Sequence, residues 1–420
     1  MKCNFLNQHK IESYIFLLII LCPYLDKGQS ITFNEHISPI IYQNCTPCHR
    51  PNEVGPFSLI TYQDVSKRGT FIQKVTASRY MPPWRADHDF GEFKNVRKLT
   101  VGQIALIRLW VENGMPEGDK NDFEMPDFRA ESQFLRKPDL TLSFNNTFPI
   151  SNNLKEDYIL FSMPTNLPVD TFIKEIEFIP GNKKLVHHAR ISVDTTQIMR
   201  IVDAKSIDDT LIREYGKIRM KEEYWSGWVP NNNSIKYPDG FAKKLKANCD
   251  LLLNLHYAPN VLKNETDSSI VNLYFSKEPI EKEVQTFVLQ ESDITNQPFE
   301  IAADTIITFY AKSTELPYPI YLLSVLPHQH FLGKSLRSFA ITPGGDMIPL
   351  IKISNWDFNW QMTYEYKEPL LIPTGSIIFA EATYDNTKNN PENRFSPPQK
   401  ITKGWNSTME MMNIIFQYVK

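Results

Sequence analysis

Cysteine, histidine and methionine are the residues of this chain whose spacing promises chemistry. Cys45-Thr46-Pro47-Cys48-His49 reads C-x-x-C-H. Two thiols three positions apart reach the two vinyl groups on one side of a porphyrin, and the adjacent imidazole then lies beneath the iron. The motif therefore predicts one covalent c-type haem on Cys45, Cys48 and His49. Zinc would want a second Cys/His pair close by, and none precedes His88; a thioredoxin-like CxxC belongs to a βαβ unit, which the pattern does not offer. For the second axial ligand the candidate is Met81, because Pro82 and Pro83 stiffen its loop, with Met115, His88 and Met125 as the alternatives.

Five further histidines fall in three compact groups: His187-His188, His256 and His328-x-His330. Imidazole is a common ligand for copper and zinc. On a strand, residues i and i+2 share a face, so His328 and His330 can reach one metal. Adjacent His187 and His188 point apart on a regular strand and can share a metal only at a strand end or a bulge. His256 alone would count as a structural histidine; its weight comes from the other four.

The elements HHA (His187 to Ala189), LHY (Leu255 to Tyr257), HQHFLGKS (His328 to Ser335) and Glu410-Met411 resemble, in family order, those of the type II, ascorbate-dependent copper monooxygenases, which include peptidylglycine α-hydroxylating monooxygenase and dopamine β-hydroxylase. The likeness covers roughly residues 139–420. It implies two copper ions: an electron-supplying one on His187, His188 and His256, and one on His328, His330 and Met411 where dioxygen binds and a C–H bond is hydroxylated. It also implies two antiparallel jelly-roll sandwiches whose coppers face each other across a solvent-filled cleft. Two imidazoles with a soft thioether favour Cu(I), whereas three imidazoles accept either oxidation state. Upstream, PFSL (Pro56 to Leu59), MPPW (Met81 to Trp84) and WVENGMPEGD (Trp110 to Asp119) resemble the cytochrome c module that precedes such domains in bacterial relatives.

The chain departs from the animal enzymes of that family. It lacks their cysteines, and with them their disulfide framework. Leu326 stands where the peptidylglycine enzymes carry an arginine for the substrate carboxylate, Ile415 where they carry a substrate-binding tyrosine, and Met409 where an acidic or polar residue is usual. A peptidylglycine substrate is therefore not expected.

Those residues need elements to hold them. Val101 to Val111 carries apolar side chains at helical spacing, with Thr100 as N-cap and Gly114 as stop, and the whole of 31–125 is read as a small all-α, cytochrome c-like domain. Residues 126–138, with Pro126 and Pro138, read as a linker. Beyond it, short runs such as KEIEFI, LLLNLHYAP, IVNLYFS and NIIFQYV alternate like strands between Pro/Gly turns. Strands without intervening helices argue for antiparallel β-sandwiches, and the length allows two, at 139–285 and 286–420. On a last strand from about Glu410 to Val419, alternation sets Met411 and Met412 on opposite faces. Trp356, Phe358, Trp360 and Tyr364 are read first as packing in a sandwich core, with lining of the cleft as the alternative.

Composition is that of an ordinary globular protein, 42% hydrophobic and 22% charged with a net charge of −3, and no Lys/Arg stripe suggests nucleic acid. Residues 1–29 read as a secretory signal, with Lys2, His9 and Lys10 ahead of the apolar run Tyr14 to Leu21. A retained membrane anchor is the alternative; a lipid on Cys22 is not expected, because Leu21 stands where a small residue is needed. Of five cysteines, Cys3 and Cys22 lie in the signal and two are in the CxxCH motif, leaving Cys249 without a partner, so no structural disulfide is expected. Together these readings point to an exported, periplasmic protein of a Gram-negative bacterium: a copper monooxygenase acting with dioxygen on an unknown organic substrate. Its electrons would come from a small reductant or redox protein through the fused haem. A non-catalytic copper-binding or electron-transfer haem protein is the alternative, with a haem carrier as a third reading.

Overall fold

The computed structural model describes residues 30–51, 53–122, 136–207, 209, 222–230, 234–404 and 406–420. The expected signal, Met125 and nearly all of the expected linker lie outside them.

Three sheets build the larger part of the molecule. A nine-stranded sheet takes strands in the order Leu140–Ser143, Ile270–Phe275, Thr171–Ile179, Phe241–Leu245, Lys282–Leu289, Asn413–Val419, Ile320–His328 and Tyr364–Ile372, with Ser234–Lys236 pairing off this path. Against its first half lies a five-stranded sheet containing Asp157–Pro164, Asp250–Tyr257, Val186–Asp194 and Glu222–Trp228. Against its second half lies a four-stranded sheet of Ile306–Lys312, Ile377–Asp385, Gly333–Ile341 and Met347–Ile353. Two cores result: one includes Phe161, Ile176, Phe178, Ile191, Leu253 and Leu273, the other Phe309, Val325, Leu336, Tyr364, Ala382 and Phe416.

The expected boundary at residue 285 falls inside one strand. Residues 282–284 of Lys282–Leu289 pair in parallel with Phe241–Leu245 of the first sandwich, and residues 285–289 pair antiparallel with Asn413–Val419 of the second. Ile176 and Phe178 of KEIEFI point into the first core, as alternation predicts. Glu177 on the other face is buried too, accepting hydrogen bonds from Asn272 (2.9 Å) and Tyr274 (3.0 Å).

The N-terminal region corrects an expectation. Residues 31–125 do not form an all-α, cytochrome c-like domain, and helix makes up only 13% of the structure. The helices here are short: Phe33–Ile37 running into Ser38–Asn44, then Tyr62–Ser66, Gly69–Ala77 and Val101–Glu112. Two have capping boxes, Thr61 with Asp64 and Thr100 with Gln103, so their starts are written in local sequence. Between Tyr80 and Thr100 there is no helix. Pro82 and Pro83 lack amide donors, and Trp84 and Phe93 find their burial in the core of the second sandwich rather than among helices. Burying a side chain of Phe93's size stabilises by roughly 1.5–3 kcal/mol, more than a frayed helical turn would return. No helix among the described residues is long and apolar enough to cross a membrane.

Candidate metal centre

The first histidine group sits where Val186–Asp194 enters its sheet. Asn182 shapes the preceding turn: its side-chain oxygen accepts from the Leu185 amide at 3.2 Å, and its own amide donates to Asp267 at 2.9 Å. His256 lies opposite His188, while Tyr257 lies opposite Val186, so the ladder slips by one residue at His187. That bulge lets two adjacent histidines turn toward one point. The Nδ1 atoms of His187 and His256 each lie 3.2 Å from Nδ1 of His188, and one ligand atom from each of the three residues fits within 4.8 Å. A tetrahedron with bonds of about 2.0 Å has edges of about 3.3 Å, so this is the spacing of imidazoles around a metal. Tyr158 lies flat on His256, centroids 4.2 Å apart and rings 6° from parallel, and Glu156 stands 3.6 Å from its other nitrogen. Ser407 holds Glu156 by a 3.0 Å hydrogen bond.

The second group is built from strand ends and loops. His328 closes the Ile320–His328 strand opposite Asn413, and His330 follows it; their rings stand 5.0 Å apart and nearly perpendicular. Nδ1 of His328 meets Oε1 of Gln361, and Nδ1 of His330 meets the Met409 carbonyl at 3.0 Å. Both rings therefore donate through Nδ1 and keep Nε2 for a metal, the reverse of the first group. Glu410 is fully buried. Its carboxylate accepts the amides of His330 (2.9 Å), Leu332 (2.7 Å) and Met411 (3.2 Å), and burial pushes its pKa up to about 8 against those hydrogen bonds. The final strand begins at Asn413 rather than Glu410, yet the three methionines before it separate cleanly. Met411 lines the cavity shared with His328 and His330, Met412 is buried in the second core, and Met409 packs its sulfur against Gly404.

Burial lowers the imidazole pKa of His187 to about 4, of His328 to about 4 and of His330 to about 3, and holds His188 well below its ordinary value. These four rings are neutral at physiological pH and offer lone pairs. The two groups meet across one phenyl ring. Phe358 has its centroid 6.5, 6.4 and 6.3 Å from His187, His188 and His256, and 6.0 Å from His330. Of the four aromatic candidates, Phe358 is the one on the cavity; Tyr364 lies in the second core, Trp356 packs against it, and Trp360 is half-buried outside both.

The cavity has a volume of about 370 Å³. Tyr224, Val288, Leu326 and Ile415 form an apolar wall, so the two positions that lack the peptide enzymes' polar side chains stand together. Arg190 and the Lys403–Glu291 ion pair (3.0 Å) supply charge. Sequence reading missed Glu156, Gln361 and Arg190. Only Arg190 had a local signal, since it lies two positions from His188 on the same strand face.

At the CxxCH motif, the His49 amide donates to the Cys45 carbonyl (2.8 Å) and the ring Nδ1 meets the Phe57 carbonyl at 3.1 Å, leaving Nε2 available. Cys45 and Cys48 are free thiols, and burial pushes Cys45 up to about 12. Gly55 closes on the motif so tightly that a Cβ there would stand 2.6 Å from the Cys48 carbonyl. Free thiols and a pre-oriented imidazole fit a thioether-bound haem. Met81 sits half-buried just beyond the Gly69–Ala77 helix, its amide bonded to Val75. Met115 packs on the apolar cluster that also takes Cys45 and Phe57, and its thioether lies against Gly69.

Residues 283–419 match the family model of the copper type II ascorbate-dependent monooxygenase, C-terminal domain. This stretch includes His328, His330 and Met411. A human protein described as putative DBH-like monooxygenase protein 2 is 20% identical over 268 residues, covering 60% of this chain. The chain spans 52% of that relative's length. Overlaps with solved structures are slight. The infectious bursal disease virus VP2 subviral particle has 9% identity and a TM-score of 0.18, over 66% of this chain and 70% of that one. The major capsid protein P2 of bacteriophage PM2 has 10% identity and a TM-score of 0.23, over 67% and 96%. At such scores the overlap carries no argument.

Proposed function

We propose that this chain is a copper monooxygenase that hydroxylates a C–H bond of a small organic substrate with dioxygen. The observation that carries the reading is the pair of donor sets either side of Phe358: three convergent Nδ1 atoms, of which that of His188 belongs to a residue lining the cavity, and opposite them His328 and His330 with Met411 on the same cavity. Copper bound there would supply one-electron steps and the activation of dioxygen. One oxygen atom enters the substrate C–H bond and the other leaves as water, with two electrons and two protons from a reductant. The protein's own part is positional. The bulge at His187 aims the first set, Glu410 ties His330 to Met411, and Phe358 stands between the sets. The wall of Leu326, Ile415, Val288 and Tyr224 receives an apolar body and offers nothing to a C-terminal carboxylate at the two family positions.

Haem on Cys45, Cys48 and His49, with Met81 or Met115 as sixth ligand, would pass electrons from a small reductant or a redox protein. Glu53, in the loop after the motif, forms a 3.0 Å ion pair with Lys183, four residues before His187, which brings the motif's loop to the edge of the first set. The leader-like residues 1–29 and the CxxCH motif support an exported, periplasmic setting.

Metal analysis with an optical spectrum of the purified protein is expected to find one haem and two coppers per chain, together with reductant-dependent oxygen uptake stimulated by substrate. Copper uptake without any oxygen chemistry would favour an electron carrier instead. Replacing Cys48 by Ala is expected to weaken covalent retention of haem on denaturation, and an unchanged c-haem spectrum in that variant would remove the haem from the account.

A further inference from the structure

The segment from Met81 to Leu99 has almost no regular structure of its own, yet it is fastened to the second sandwich along its length. Trp84 and Phe93 are part of that core, with Trp84 edge-on to Tyr364 at 5.2 Å and Phe93 at 5.4 Å from both Tyr364 and Tyr366. Backbone bonds join Asp87 to Lys352 (2.8 Å), Lys94 to Glu365 (2.8 Å) and Lys367 to Glu92 (3.0 Å), and the Ser354 hydroxyl donates to the Asp87 carboxylate at 2.6 Å. These contacts grip both ends of one loop, residues 354–363. Its middle is gripped too, because the Arg85 guanidinium forms an ion pair with Asp357 and both side chains are largely buried.

That loop carries Phe358 and Gln361. Phe358 lies 6.0 to 6.5 Å from four of the metal-site histidines, and Gln361 bonds Nδ1 of His328 while its amide donates to the Phe358 carbonyl at 2.9 Å. Arg85 is thus one residue removed from the ring between the two donor sets. A loop of this length, without a sheet ladder, holds a side chain in place only where something outside it does so. One guanidinium nitrogen of Arg85 meets one carboxylate oxygen of Asp357, a charge-assisted contact.

We propose that Arg85 is a positioning residue for the metal centre: through Asp357 it sets Phe358 and Gln361 over His328 and His330. The part of the chain that carries CxxCH therefore completes the centre. This rests on copper binding at the two donor sets as proposed above.

The test uses the full chain with copper alone as the probe. Arg85→Met keeps the stem and removes the guanidinium; Asp357→Asn removes the other charge, and Arg85→Lys keeps the positive charge should Arg85→Met not fold. The expected result is a folded protein with a lowered melting temperature, since a largely buried charge loses its partner, and with two coppers still bound. The electron paramagnetic resonance signal of the His328/His330 copper, bonded to the loop through Gln361, would be altered, and that of the His187/His188/His256 copper, which meets the loop at Asn359 only through His187, would change less. Cu(I) at the altered site would be lost to a chelator about tenfold faster. The double variant should be no worse than either single one, since both break one contact. Unchanged signals in folded Arg85→Met and Asp357→Asn, or equal changes at both sites, would overturn the positioning role and leave the copper reading standing. A parent protein that binds no copper would overturn the copper reading and this inference with it.

Discussion

The two histidine groups lie either side of Phe358 but are constructed differently. His188 and His256 are cross-strand partners inside a sheet, and His187 joins them through a one-residue bulge. His328, His330 and Met411 come from a strand end, the turn after it and the approach to the last strand. They are joined by one buried carboxylate and by a loop that the N-terminal segment holds. The first set is fixed by ladder hydrogen bonds, the second by a few side chains. Single substitutions should therefore spare the first set and disturb the second.

Glu410→Ala should show the largest difference. It leaves the amides of His330, Leu332 and Met411 without an acceptor, and each buried unpaired amide costs on the order of 1–3 kcal/mol, so a loss of roughly 3 kcal/mol or more is expected in denaturant unfolding. Bound copper should fall from two per chain to one, held by the first set. Retention of both would mean that the second set does not depend on this carboxylate.

Met411→Ile should preserve fold and stability, because Met411 faces the cavity and not a core. Oxygen chemistry should disappear and the Cu(I) X-ray absorption spectrum should lose its sulfur shell. A surviving sulfur shell would point to another methionine.

Tyr158→Leu probes the more robust side. It removes the ring stacked on His256, a contact worth about 0.5–1.5 kcal/mol, and should loosen copper at the first set only a few-fold. A complete loss would show that the sheet alone does not hold the triad. Met412→Ile should have the smallest effect, about 1 kcal/mol or less in thermal unfolding with both metals retained, as a change of shape within the second core.

Much of the site was legible because its signals are local. The i, i+2 histidines and the need for a bulge at His187-His188 both follow from a few adjacent residues. The alternation of Met411 and Met412 also survives, although the strand itself starts at Asn413. What was not legible depends on distant partners. Glu156 reaches His256, Gln361 reaches His328 and Arg85 reaches Asp357, 272 positions away. The all-α expectation for 31–125 failed for the same reason. Clear helical spacing at 101–111 was extended across a stretch whose apolar residues belong to another core. The continuity of the large sheet was equally hidden, since a parallel pairing between Phe241–Leu245 and Lys282–Leu289 leaves no trace in hydrophobic period.

That continuity governs how the molecule can move. Lys282–Leu289 belongs to both sandwiches at once, so rotating one against the other would break main-chain hydrogen bonds on at least one of its edges. A strand shared in this way resists a pivot between the sandwiches and so favours a constant gap between the two donor sets. Any opening at the cavity is then confined to small parts of its rim that no second segment fastens, such as the turn before Met409, and is not a swing of whole domains.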